Sequence, residues 1–288
     1  QIHFPNFFTT ATVGKRRGWN MDEIAAIGNG TIDIKRAYDF NDAVGFNSDR
    51  SLKIVHDNTF ALTQAVNDIV ARGGDYLDLP SGVFLAQKLI VPSSFTLRGI
   101  GKNSILQQQY FSNDATDGGE NALANDNIFV GITKGSSASD VTMSDLTIDG
   151  NSTNQYRFPD SADDDNYMVY LKGLTSGLIK GVELRNSSMH GMVIEGSTRV
   201  SIENSTFVDG SLTDEFSYTP LNAQGTTSLR VNDCLFENYP GAVDVSASTV
   251  VATGGNIIRN CGRGILTFAT GKITTTDNII LGPADEFI

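Results

Sequence analysis

The chain has 288 residues, of which 29 are glycine and 7 are proline, and its formal net charge is −12. A surface this acidic repels nucleic-acid phosphates and anionic membranes, which argues against binding to either partner. No stretch is long and apolar enough for membrane insertion, no signal peptide is evident, and the two cysteines do not have zinc-site spacing.

Residues 1–50 show no clear periodicity, and their aromatic residues are scattered. We expect an irregular N-terminal head or neck there and a second domain over residues 51–288. Because the chain begins at Gln1 and ends without an amphipathic cap over 281–288, we also expect an internal fragment or processed product. More chain or a partner subunit would then cover the last turn.

Apolar residues recur at helical spacing between 57 and 73, where Asp57 is a good N-cap and Gly73 and Gly74 end the pattern. From residue 76 the pattern changes to short alternating runs separated by glycine and proline, which indicates strands. An amphipathic helix directly before the first strands would cover the open apolar end of a solenoid.

The second half of the chain repeats. Similar apolar strands start at Met168, Met192, Leu221, Val243 and Ile265, separated by 24, 29, 22 and 22 residues. A second series of apolar positions keeps this register with spacings of 23, 29, 22 and 22, namely Leu184, Phe207, Phe236, Ile258 and Ile280. Short strands at such a period predict an all-β parallel β-helix with rungs over about 76–288.

Four polar residues, Asn186, Asp209, Asn238 and Asn260, fall two residues after the second series. Asn and Asp tolerate the left-handed conformation, so we expect stacked turns with a side-chain ladder. Cys234 and Cys261 lie at different phases of the repeat, which argues against a disulfide.

Three long excursions, at about 107–127, 150–167 and 210–220, leave the predicted rungs from the same corner. Insertions on one face of a solenoid usually build its binding face. Alternation along the strands that start at Met168 and its equivalents places Met168 and Tyr170 inside, and Val169 and Leu171 outside. The same alternation places Glu195, Asn222, Gln224 and Asp244 on one outward strip.

Carboxylates beside aromatic rings suit a sugar-cleaving groove, because hydrolysis uses one protonated acid and one ionised base or nucleophile. The candidate catalytic residues are Glu195, Asp214, Glu215 and Asp244. The candidate substrate-binding residues are Tyr156, Phe158, Tyr167, Phe216, Tyr218, Asn222 and Gln224. In the plainer interpretation these carboxylates are only solvated, and His190 is a turn residue.

The chain opening resembles that of pectate-lyase-like right-handed β-helices, which is common in bacteriophage tailspikes and tail appendages. The resemblance lies in DNT at 57–59, the helix, GG at 73–74, LPSGVFL at 79–85 and FTLRGIG at 95–101. It implies a right-handed coil, a homotrimer that contacts other phage tail proteins in the extracellular virion, and a host-surface polymer as ligand.

A narrower resemblance to pectate lyases covers residues 163–171 and 241–245. It implies that Asp163, Asp165 and Asp244 could hold Ca²⁺, whose ligands are oxygens. However, Asp165 and Asp244 would lie three rungs apart, roughly 14 Å, too far to share one ion. No arginine base is evident beside Asp244, and hydrolysis requires no cofactor, so calcium stays optional and is assigned to Asp163 and Asp165.

The sequence therefore predicts a phage tailspike that binds and depolymerises a bacterial polysaccharide or teichoic acid by carboxylate-based hydrolysis. The alternatives are a non-catalytic receptor-binding spike and a purely structural coil. The host, the polymer and whether the site lies within one subunit stay open.

Overall fold

The computed structural model describes residues 24–28, 31–34, 58–86, 88–108, 127–132, 140–152, 166–187, 190–210, 219–239, 241, 243–268 and 271–282. Two compact units are present. Unit 1 comprises Gln1–Ile54 and Asp114–Ala124, and unit 2 comprises Val55–Asn113 and Asn125–Ile288. The predicted domain boundary at residue 50 lies outside the described residues and stays a prediction.

The described residues of unit 1 form an antiparallel pair of strands, β1 (Ile24–Gly28) and β2 (Thr31–Ile34). The sequence prediction of an irregular head over residues 1–50 did not include this hairpin. The overlooked signal is the Asn-Gly dipeptide at 29–30 between two short apolar runs, which is a strong hairpin signal.

Unit 2 contains three parallel sheets in which each strand pairs with the strand three places further along the chain. Sheet A consists of β3 (Tyr76–Leu79), β6 (Phe95–Gly99), β9 (Asp140–Ser144), β12 (Ser176–Lys180), β15 (Arg199–Glu203), β18 (Ser228–Asn232), β21 (Val250–Gly254) and β24 (Lys272–Thr276). Sheet B consists of β4 (Gly82–Ala86), β7 (Ser104–Gln108), β10 (Thr147–Asp149), β13 (Glu183–Arg185), β16 (Thr206–Val208), β19 (Leu235–Tyr239), β22 (Ile257–Cys261) and β25 (Ile279–Leu281). Sheet C consists of β5 (Leu89–Val91), β8 (Asn127–Ile132), β11 (Asn166–Lys172), β14 (His190–Glu195), β17 (Leu221–Gln224), β20 (Val243–Ser246) and β23 (Ile265–Phe268).

The chain passes through sheets A, B and C in turn, so one strand from each sheet makes one rung. The described strands form seven such rungs and two strands of an eighth. This arrangement confirms the predicted parallel β-helix. It also means that residues at one phase of the repeat line up along the coil, which decides which side chains meet.

Helix α1 (Thr59–Ala71) packs against β3 and β5 and buries Leu62 and Val66, as a cap on the first rung should. Asn58, not the predicted Asp57, occupies the N-cap position, and its N–H donates to the Leu85 carbonyl at 2.6 Å. At the other end the Gly74 N–H donates to the Ile69 carbonyl, so the predicted glycine stop is confirmed.

The predicted turn ladder at the corner between sheets B and C is present for three of its four residues, whereas the amide of the fourth, Asn186, donates to Asp149 at 3.1 Å. Asp209, Asn238 and Asn260 all have φ near +50°. The Asn238 side-chain amide donates to Asp209 at 2.7 Å, and the Asn260 amide donates to Asn238 at 2.6 Å. These bonds link three successive rungs and hold this corner in register.

Both cysteines are free and buried, as predicted. Burial raises the pKa of Cys234 to about 12, so its thiol stays protonated and unreactive at neutral pH.

Candidate functional site on sheet C

Among the described residues, the outward face of sheet C carries the carboxylate, amide and aromatic side chains that are best suited to binding or catalysis. Its strands lie about 4.8 Å apart, and their pairing aligns the outward residues into two rows. Row 1 contains Tyr170, Val193, Asn222, Asp244 and Leu266, and row 2 contains Lys172, Glu195, Gln224, Ser246 and Phe268.

The register of β11 corrects the predicted faces of this strand. The prediction aligned Met168 with Met192, but Val169 is the residue that pairs with Met192. Val169 and Leu171 are fully buried, whereas Tyr170 faces outward. A shift of one residue exchanges the two faces of a strand. The apolar pattern did not reveal this shift, because Met168 is apolar like Val169. The predicted alternation is confirmed for β17 and β20.

Two partners on the preceding rung hold Glu195. Tyr170 donates its hydroxyl to Oε2, and Lys172 Nζ donates to Oε1 at 2.6 Å. Burial alone would raise the pKa of Glu195, but the hydrogen bonds from Lys172 and Tyr170 outweigh burial and leave the pKa below its usual value. Glu195 is therefore ionised at neutral pH, and both of its oxygens are engaged.

Tyr170 and Lys172 complete this arrangement, which we call the Glu195 cluster. Burial, together with the hydrogen bond to Glu195, raises the pKa of Tyr170 to about 12, so the phenol keeps its proton. The hydrogen bond to Glu195 also raises the pKa of Lys172. The sequence prediction missed both residues. The prediction assumed a spacing of 24 residues between β11 and β14, whereas the paired residues, such as Tyr167 and His190, are 23 apart. A spacing of 23 would have placed Tyr170 and Lys172 on the outward face.

Aromatic side chains lie beside the Glu195 cluster. The Tyr167 and Tyr170 rings stack with centroids 5.2 Å apart, and the His190 ring lies 5.8 Å from that of Tyr167. His190 is the first residue of β14, not a turn residue, and its Nδ1 accepts the Thr219 N–H at 3.2 Å. The predicted substrate-binding residue Tyr167 thus belongs to a group of neighbouring aromatic rings, a type of side chain that can contact sugar rings.

Asp244 lies half-buried in row 1. Burial raises the pKa of Asp244, and the positive charge of Arg263 offsets part of that rise. No arginine was expected near this carboxyl. Arg263 escaped notice because it comes from the turn before β23, not from an outward strand position. A raised pKa increases the protonated fraction of Asp244, which a proton donor needs.

The structure places Glu195 and Asp244 on the same face but not together. Asp244 pairs with Asn222, and Asn222 pairs with Val193, two residues before Glu195. Two rungs and two residues separate the Cα atoms by about 12 Å. The Glu195 side chain also bonds to β11, on the side away from β20. Because the two carboxyls of a glycosidase lie roughly 5–9.5 Å apart, these two do not form such a pair.

Asn222 and Gln224 occupy the strand between the two carboxylates, as predicted. Asn222 adjoins Asp244 in row 1, and the exposed Gln224 adjoins Glu195 in row 2. Their amides can both donate and accept hydrogen bonds, which suits contact with sugar hydroxyls.

The other predicted site residues lie outside the described residues, namely Tyr156, Phe158, Asp163, Asp165, Asp214, Glu215, Phe216 and Tyr218. Within the described part of the chain, no three His, Cys, Asp or Glu side chains gather as a metal site would require. The calcium site at Asp163 and Asp165 stays a prediction. None of the helical segments described here has the length and apolarity needed to cross a bilayer.

Replacing Glu195 by Gln should lower the free energy of unfolding by less than about 1 kcal/mol at neutral pH, because the ion pair is partly exposed. The folded-state pKa lies below the reference value of 4.5. The stabilisation is therefore present above that pH and is lost as the pH falls through the folded-state pKa. Urea unfolding of both proteins at several pH values measures this difference. Gln224→Ala, which removes no ionisable group, serves as the control. A difference that stayed constant in acid would contradict the assigned ion pair.

The described geometry defines a three-sheet parallel β-helix with an acid–base and aromatic surface on one sheet. Residues 130–288 match the protein family described as the right-handed beta helix region. This match covers more than half of the chain, so the chain belongs to the right-handed β-helix family. A comparison with curated proteins finds no match.

Several solved structures are similar to this chain. A protein from Parabacteroides merdae ATCC 43184, provisionally described as a glycosyl hydrolase, is 16% identical over 78% of this chain and 92% of its own, with a TM-score of 0.50. ORF18 of Geobacillus virus E2 is 14% identical over 80% of this chain and 59% of its own, with a TM-score of 0.49. The enzymatically active domain of bacteriophage CBA120 tailspike protein 2 is 11% identical over 81% of this chain and 42% of its own, with a TM-score of 0.33. At such identities the first likeness shows the fold alone, and the other two carry no further argument.

Proposed function

We propose that this chain binds a bacterial surface polymer, a polysaccharide or a teichoic acid, along the outward face of sheet C and hydrolyses it with carboxylates. The main support is the stacked Tyr167–Tyr170 pair beside the ionised Glu195, on the same face as the half-buried Asp244. Aromatic rings contact sugars at low entropic cost, and a carboxyl group with a raised pKa suits a proton donor.

In this proposal Asp244 is the proton donor to the leaving oxygen, because burial raises its pKa. Glu195 is a positioning residue, since both of its oxygens already bind Tyr170 and Lys172. The base that activates water is then Asp214 or Glu215. The segment that carries them joins Gly210 to Thr219, and Thr219 contacts His190 on the proposed binding face.

The resemblance of residues 57–101 to phage tailspikes supports the wider assignment. The chain would act as a homotrimer in the phage tail and contact the host cell surface. Calcium at Asp163 and Asp165 would support the local structure, with no role in proton transfer.

The test is cleavage of surface polymers purified from candidate host bacteria, followed by chain length and newly formed reducing ends. Wild-type protein should shorten one polymer. The single variants to compare are Glu195→Gln, Asp214→Asn, Glu215→Gln and Asp244→Asn. Asp244→Asn should lose most of the cleavage, and so should one of the two loop variants, Asp214→Asn or Glu215→Gln. Full cleavage by all four variants would rule out this site.

A receptor-binding spike without catalysis is the second candidate, favoured by the separation of Glu195 from Asp244 and by the full engagement of Glu195. It predicts polymer binding that Tyr167→Ala weakens, with no shortening of the polymer over long incubation. Size-exclusion chromatography of the incubated polymer separates the two functions.

A further inference from the structure

A second surface with the features of a ligand site lies on sheet A, in its first two strands. Asp75, Tyr76, Thr96 and Arg98 line a shallow cavity of about 260 Å³. The Tyr76 side chain is 54% exposed, so much of its ring is available to a ligand. This volume lies just below the roughly 300–1,000 Å³ of drug-sized sites and suits one small ring.

Pairing between β3 and β6 sets the positions of these side chains. Tyr76 pairs with Thr96, and Asp78 pairs with Arg98. The Arg98 guanidinium donates to both carboxylate oxygens of Asp78, from Nε at 2.8 Å and from Nη2 at 2.9 Å. This two-point contact fixes the plane of the guanidinium. Among the described residues, nothing accepts a hydrogen bond from Nη1, which leaves two donors for a ligand.

The charges around the cavity disfavour an ionic ligand. Asp78 neutralises Arg98, and hydrogen bonding from Arg98 holds the pKa of Asp78 below its usual value, so the pair stays ionic. Asp75 adds a second carboxylate that would repel an anion. A cation would be repelled by the positive charge of the Arg98 guanidinium. An uncharged ligand with several hydroxyl groups can instead accept from Arg98, donate to Asp75 and stack on Tyr76.

We propose that this cavity on sheet A binds one uncharged sugar unit, independently of the polymer site proposed on sheet C. The rest of sheet A offers a built-in comparison. Arg230 lies in the same outward row as Tyr76, but its paired neighbours are Ser201 and Ala252, which supply neither a carboxylate nor a ring.

The test is an NMR titration of the full chain with uncharged methyl glycosides of glucose, galactose and N-acetylglucosamine. We expect saturable binding of at least one sugar with a Kd on the order of millimolar, as is usual for a single small ring. Tyr76→Ala should weaken binding at least about 10-fold, because it removes the stacking face. Tyr76→Phe should keep the affinity within about threefold, since the ring remains.

Two further variants separate the guanidinium from general surface charge. Arg98→Lys should weaken binding because lysine cannot keep the two-point contact with Asp78. Arg230→Lys, the matched change outside the cavity, should leave the affinity unchanged. Circular dichroism confirms that each variant is folded.

Three results would overturn the proposal. They are the absence of saturable binding, an unchanged affinity in Tyr76→Ala, and weakening by Tyr167→Ala in place of Tyr76→Ala, which would assign the sugar to sheet C. Asp244→Asn should leave this binding intact. Failure of polymer cleavage is therefore distinguishable from failure of the sheet A site.

Discussion

Replacing Asp244 by Asn is expected to lower the rate of polymer cleavage about 100-fold or more, while polymer binding changes little. The amide has nearly the same shape but cannot donate a proton to the leaving oxygen, and loss of a general acid typically costs 10²–10⁴ in rate. Reducing ends released per unit time measure the effect. Asp140→Asn, which removes an exposed carboxyl from sheet A, is the matched control.

The pH profile tests the same role separately. Because burial raises the pKa of Asp244, cleavage should persist above the reference value of 3.8 and decline as the pH rises through the folded-state pKa. Arg263→Ala should move that decline to higher pH, because the positive charge that lowers the pKa is removed. Asp244 would not be the proton donor if Asp244→Asn kept more than half of the wild-type rate.

Replacing Phe207 by Ala is expected to lower the free energy of unfolding by about 3–5 kcal/mol. Phe207 is fully buried, and its ring stacks on Phe236 of the next rung with centroids 4.9 Å apart. Truncation removes the buried apolar area and leaves a cavity that the stacked rungs cannot close, since the hydrogen bonds between rungs fix their spacing. Denaturant unfolding monitored by circular dichroism measures the loss.

Thr206→Ala provides the control for that change, because Thr206 is the preceding residue of β16 and is only partly buried. It should cost much less than Phe207→Ala. Equal effects of the two substitutions, or a loss below about 1 kcal/mol for Phe207→Ala, would show that the stacked Phe207 and Phe236 rings contribute little to the free energy of unfolding.

The repeat spacing was enough to predict the architecture. Leu184, Phe207 and Phe236 recur in step with the sheet C strands, and the structure places them in one stacked file of sheet B. The turn ladder was predictable for a related reason. Asn238 and Asn260 follow the buried position by a constant two residues, and their side chains suit the left-handed turn wherever it recurs.

The surface chemistry was less predictable. Asn222 and Gln224 lie on the expected face, but Tyr167 lies in β11 and not in the corner loop predicted to carry it. Tyr170 was assigned to the interior because the predicted alignment of β11 was one residue out. Where two neighbouring residues such as Met168 and Val169 are both apolar, the apolar pattern fits two alignments that differ by one residue equally well. The two alignments nevertheless place opposite faces of the strand outward.

By itself, the sequence determined that this protein is an all-β coil with a capping helix, because apolar spacing along the chain reports which residues must be buried together. Only the tertiary structure decided that Glu195 binds Tyr170 and Lys172, that Arg263 acts on Asp244, and that these two carboxylates stand apart. Those contacts depend on the stacking of rungs, which brings together residues 19 to 25 positions apart and is not encoded in any local pattern.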